Sequence, residues 1–107
     1  FVHIGIIFLL IYLLKELFAM KIKSGFAKRN IAGSEIVVPV GNKAMEFNGM
    51  ITLNESGGFF WDCLVDGCTK EQLLGKVLLE YEVTEQKASE DIDKFLEMLR
   101  ENNLLDE

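Results

Sequence analysis

The chain has 107 residues, half of them apolar and 26% charged, with 17 acids against 11 bases and a formal charge of −6. That length supports one small domain, or one domain with an appendage, and excludes a two-domain enzyme. Folding at this size buries only about 60 to 70% of the unfolded surface, which leaves little material for a deep catalytic cleft and favours a binding module.

The first nineteen residues differ in kind from the rest. Phe1 to Leu14 (FVHIGIIFLLIYLL) contains no acid, lysine or arginine and is apolar on every side of a helix, unlike a globular surface helix. At 1.5 Å per residue it reaches about 21 Å, against a hydrocarbon core of about 30 Å. Lys15 and Glu16 interrupt any extension through Leu17 to Met20. Neither a basic n-region nor a small-residue cleavage site marks a secretory signal. Met20 opens MKIKSGF, an ordinary start for a small soluble protein, so residues 1–19 read as an apolar N-terminal extension: upstream, extraneous or anchoring sequence. Membrane association through it stays open. The extension is expected to be helical and to bury itself against another copy, a neighbouring chain or detergent, through Ile4, Ile7, Phe8, Ile11 and Leu14.

Residues 20–107 are expected to fold as one domain, with strands first and helices second. Phe26 to Ile31 is a short extended run closed by Ala32-Gly33-Ser34, and Glu35 to Val40 is rich in β-branched residues, so the pair predicts a hairpin. Pro39 cannot donate to a ladder, which puts its strand at an edge or its nitrogen away from a partner. Ala44 to Phe47 predicts a further strand before the turn dipeptide Asn48-Gly49, and Met50 to Leu53 resumes as strand, where plain capping of the core is one of two readings of Met50. The sheet is expected to hold three or four short antiparallel strands.

Asn54 predicts the cap of a first helix, with Phe59, Phe60, Trp61, Leu64 and Val65 on its buried side and Asp66-Gly67 as its stop. Thr69 and Gln72 form a capping box opening a second helix, whose Leu73, Leu74, Val77, Leu78 and Tyr81 recur at helical spacing. Thr84 caps a third, with Ala88, Ile92, Phe95, Leu96 and Leu99 as its apolar stripe. A hairpin region followed by three helices is an α+β, winged helix-turn-helix-like outline.

Several chemistries are disfavoured. Cys63 and Cys68 lie five apart, which matches neither a CxxC redox pair nor a zinc spacing, and no second pair completes a metal site. Reduced, partly buried thiols in a reducing, cytoplasmic compartment are expected. The single histidine, His3, sits in the apolar extension, so no nucleophile and base pair can be assembled. No catalysis, metal or cofactor is expected. Residues 21–43 carry Lys21, Lys23, Lys28, Arg29 and Lys43 against Glu35, whereas residues 46–107 carry five bases against fifteen acids. A winged helix can read DNA, but here Lys87, Lys94 and Arg100 face eight acids within residues 84–107. Phosphates would be repelled, so no nucleic-acid partner is expected.

The run Phe47-Asn-Gly-Met-Ile-Thr-Leu-Asn-Glu-Ser-Gly-Gly-Phe-Phe-Trp, followed by Leu64, Asp66-Gly67, Thr69 and a terminal helix over Asp93 to Leu105 ending Asn-Leu-Leu, resembles the PqqD family. The resemblance covers residues 20–107 and rests on the order and spacing of these marks together. Members of that family are similar to precursor-peptide recognition elements, winged-helix modules that hold the leader of a ribosomally made peptide and present its core to a modifying enzyme, often a radical SAM protein. The resemblance implies a leader lying between the third strand and the third helix. On this chain that means Met50, Ile51, Thr52 and Leu53 facing Asp91, Lys94, Phe95 and Met98. The last four fall at i, i+3, i+4 and i+7 and so share one helix face. An exposed sheet edge suits such a role, since an added strand gains affinity from main-chain bonds and selectivity from alternate side chains. The rival reading is a membrane-tethered or oligomeric adaptor in which Phe1 to Leu14 is the functional element.

Overall fold

The computed structural model describes residues 4–10, 19–45 and 49–107. Residues 4–10 are helical and exposed throughout, so Ile4, Ile7 and Phe8 meet no core, while Ile11 and Leu14 lie outside the described residues. No helix among the described residues is long and apolar enough to cross a membrane.

The remainder is α+β. Strands β1 (Lys21–Ile22), β2 (Phe26–Ile31), β3 (Ser34–Pro39) and β4 (Ile51–Leu53) precede helices α1 (Glu55–Val65), α2 (Lys70–Glu80) and α3 (Glu85–Glu101), and β5 (Leu105–Asp106) follows. An antiparallel sheet runs in the order β2-β3-β4, and β1 and β5 form a separate two-stranded pair. Ala32 and Gly33, both at positive φ, make the two-residue turn of the β2–β3 hairpin, and Asn30 accepts a bond from the Gly33 N–H. Where a strand over Ala44 to Phe47 is expected, Gly41–Met45 instead winds as a 3₁₀ turn, and residues 46–48 lie outside the described residues. That is the fate of a short run led by Gly41-Asn42, with too few β-branched residues to hold a ladder.

Each helix starts where its cap predicts. The Gly57 N–H donates to Asn54 Oδ1 at 2.7 Å. Thr69 and Gln72 exchange both bonds of a capping box, at 2.9 and 3.1 Å, and Thr84 Oγ1 accepts from the Lys87 N–H. Replacing Asn54 by alanine orphans the Gly57 donor and is expected to lower stability by about 1 kcal/mol, read as a shift in urea midpoint at constant slope.

The expected helical end at Leu105 is corrected. Helix α3 stops at Glu101 because Asn103 turns left-handed at φ 58°, with the Leu104 N–H donating to the Leu99 carbonyl and the Asn103 N–H to that of Arg100. This is a Schellman close, tolerated by asparagine. It swings Leu104 and Leu105 into the core, where β5 pairs with β1: Ile22 opposite Leu105 and Lys21 opposite Asp106. The Lys23 N–H donates to the Leu104 carbonyl, and the Lys23 ammonium to Asn103 Oδ1. Met20 exchanges both backbone bonds with Cys68 and is itself buried.

The core is filled by Trp61, Leu64, Leu73, Ile92, Leu99, Leu104 and Val37. Two expected core residues are not in it, nor is Met50 in its alternative reading as a core cap. Met50 is 67% exposed, and Val65 and Leu78 are also exposed. Met50 precedes the first paired residue of β4, and the other two sit at the edges of stripes wider than the faces actually covered. Helix α1 approaches the sheet through Gly58, where a Cβ would lie 3.7 to 3.8 Å from Lys28 and Glu35. Lys28 bridges the two layers, its ammonium 2.8 Å from Asp62 on α1 and 3.9 Å from Glu35 on β3.

Candidate functional site

Strand β4 is the outer strand of the three-stranded sheet, paired on one side only: Leu53 with Glu35, Thr52 with Ile36 and Ile51 with Val37. Among the described residues, no backbone bond from outside the sheet reaches its other side. Side chains alternate as a half-covered strand requires, with Leu53 buried, Thr52 exposed and Ile51 half-buried.

A groove of about 440 Å³ opens where the end of β4 runs into α1 beneath α3. Asp91, Lys94, Phe95 and Met98 line it from α3, so the four residues expected to share a face do converge on one hollow. The opposite wall is Asn54, Ser56, Gly57 and Phe60. Of the four expected strand residues, none lines the hollow itself. Leu53 stands behind the Gly57 wall, because a Cβ on Gly57 would lie 3.6 Å from Leu53 Cβ and 3.4 Å from the Phe95 ring edge. Three elements therefore meet over a residue with no side chain. The same Cβ would stand 2.9 Å from Asn54 Oδ1, the capping atom, which ties helix start and groove wall to one place.

The floor is aromatic. Phe60 and Phe95 meet edge to face, centroids 5.4 Å apart at 77°, which fixes both rings. The rim is charged. The Lys87 ammonium donates to Asp91 Oδ1 at 2.9 Å, and that bond holds the lysine above its ordinary pKa. Lys94 is exposed and makes no ion pair or hydrogen bond among the described residues, so the free charge of the rim is positive.

Sequence reasoning missed Lys87, Ser56 and Gly57 as wall residues and took Phe60 and Asn54 only as core and cap. A signal existed in Gly57-Gly58. Two glycines in the first turns of a helix each cost up to about 1 kcal/mol in propensity, which asks for a close approach to explain them.

Elsewhere the chemistry is quiet. Cys63 and Cys68 are free thiols, and burial, partly offset by Lys76, pushes both up, which makes them poor nucleophiles at neutral pH. No metal-holding cluster occurs among the described residues.

A small winged-helix-like α+β module with an open sheet edge beside its last helix is the class that this fold and groove define. The family model for coenzyme PQQ synthesis protein D (PqqD) matches residues 35–105. The chain belongs to the PqqD family. Among solved structures it is similar to TbiB1 in complex with the TbiA(beta) leader peptide, at 21% identity and a TM-score of 0.65 over 80% of this chain and 94% of that one. It is also similar to lasso peptide synthetase B1 complexed with the leader peptide, at 18% identity and a TM-score of 0.64 over 82% of this chain and 98% of that one. At these identities the likeness establishes the fold. No curated protein matches the chain.

Proposed function

We propose that the protein is a non-catalytic binding module that takes the leader of a ribosomally made precursor peptide as an added strand on Met50, Ile51, Thr52 and Leu53 and presents the peptide to a modifying enzyme. The observation that carries this reading is the one-sided pairing of β4 next to a groove with a fixed aromatic floor. An extended peptide on that edge gains ladder bonds and directs alternate side chains toward Asp91, Lys94, Phe95 and Met98. Family membership supports the reading, as do two solved neighbours that are themselves complexes with leader peptides. The enzyme served is a radical SAM protein or another peptide-modifying enzyme in the cytoplasm. The exposed residues Ile4, Ile7 and Phe8 offer an apolar surface for another copy, a neighbouring chain or detergent.

Neighbouring reading frames supply the candidate peptides, and titration of labelled candidates with amide shifts mapped is the test. Shifts on β4 and α3 are expected; shifts confined to α2 would overturn the reading. Reversing the free rim charge with Lys94→Glu is expected to weaken binding of an acidic leader by about three- to tenfold, as a rim charge does. Stability should stay within about 0.5 kcal/mol at this exposed position.

A further inference from the structure

We infer that the groove continues past Ser56 into a side pocket that selects one long cationic side chain, lysine or arginine, of the bound peptide. This rests on the strand-addition reading and adds to it a sequence preference. A hollow of about 220 Å³ opens where the first turns of α1, the end of α2 and the start of α3 meet. Its walls are Phe60, Val77, Tyr81, Val83 and Ala88, and its rim carries Ser56, Glu82 and Asp91. Ser56, Phe60 and Asp91 line the main groove as well, so a peptide leaving the end of β4 meets the second hollow across a shared wall.

The chemistry of this lining fits a cation on an apolar stem. No base lines the pocket. Lys87, the nearest lysine along α3, is held by Asp91 and lines the neighbouring groove instead. Glu82 is exposed and makes no ion pair or hydrogen bond among the described residues, so its carboxylate is available. The surroundings carry the same sign: after burial, Glu55 and Glu80 are what raise the Tyr81 phenol above its ordinary range. Lysine and arginine bury their methylene stems against apolar walls and keep the charged head at the water boundary, here beside Glu82. Aromatic walls add attraction for a head passing over a ring face. An acidic side chain meets the unpaired Glu82 carboxylate in the same place.

The test is selection of displayed random dodecapeptides on the whole chain, run in parallel on Glu82→Lys, Glu82→Gln and Thr52→Pro variants. Wild type is expected to enrich lysine or arginine at one position, at a fixed spacing from the segment that protects β4 amides from exchange. Changing that residue to glutamate in a selected peptide should cost about tenfold in affinity on wild type and less than about twofold on Glu82→Lys, with Glu82→Gln between them. Equal profiles on wild type and Glu82→Lys, or no cationic position at all, overturn the pocket while leaving strand addition standing. Failure to select any peptide, or binders indifferent to Thr52→Pro, overturns both.

Discussion

Proline at position 52 is expected to reduce peptide binding by more than about tenfold, equivalent to about 1.4 kcal/mol, while alanine there changes it little. The Thr52 side chain is exposed on the face of β4 opposite Leu53, so truncating it removes almost no contact. Proline deletes a backbone donor and puts a ring at the sheet edge, where an incoming strand must lie flat. A ladder residue gives its N–H to one side only. The Val40 N–H bond to the Gly25 carbonyl sets the phase of the β2–β3 ladder, so Ile36 gives its backbone groups to β2 and the opposed Thr52 donor faces the open edge; peptides N-methylated at alternate positions make the same measurement from the ligand's side. A folded Thr52→Pro protein that binds as tightly as Thr52→Ala would show that the edge is not where the peptide lies.

The largest effect on stability is expected at the closure of the chain. Leu104 is fully buried, and Leu104→Ala should cost about 2 to 5 kcal/mol, a large share of the roughly 5 to 15 kcal/mol available to a domain. Deleting residues 104–107 should cost more, since it removes β5, the partner of β1, and the carbonyl that accepts from Lys23. Urea titration followed by the fluorescence of Trp61, itself buried in the same core, reads both variants. A Leu104→Ala protein within 1 kcal/mol of wild type would mean that the site collapses around the missing atoms.

What was legible in the sequence was what is local in the chain. Asn54, Thr69 and Thr84 announce their helices because a cap bonds three residues ahead, and the β2–β3 hairpin is written in its own turn. The stripe of α3 is legible for the same reason: Ala88, Ile92, Phe95, Leu96 and Leu99 are all buried, and the offset face of Asp91, Lys94 and Met98 does line a hollow. The β1–β5 pair was illegible because two-residue strands carry no period, and because Asn-Leu-Leu continues a helical pattern until Asn103 reverses the backbone. The far wall of the groove was illegible too. How closely Gly57 lets Phe95 approach depends on how two helices and a strand pack, and no window along the chain contains all three.

The pairing of Lys21–Ile22 with Leu105–Asp106 also sets a schedule for folding. Strand β1 leaves the ribosome before the hairpin, β4 and all three helices, and its partner only after them. Until then Ile22 must wait, and closing so long a loop carries an entropic cost that the hairpin and the capped helices do not. The hairpin and helices are thus expected to assemble first and the clasp last. A nascent chain stalled short of Leu104 would expose the apolar surface that Leu104 and Leu105 cover, and would be the species most prone to aggregate.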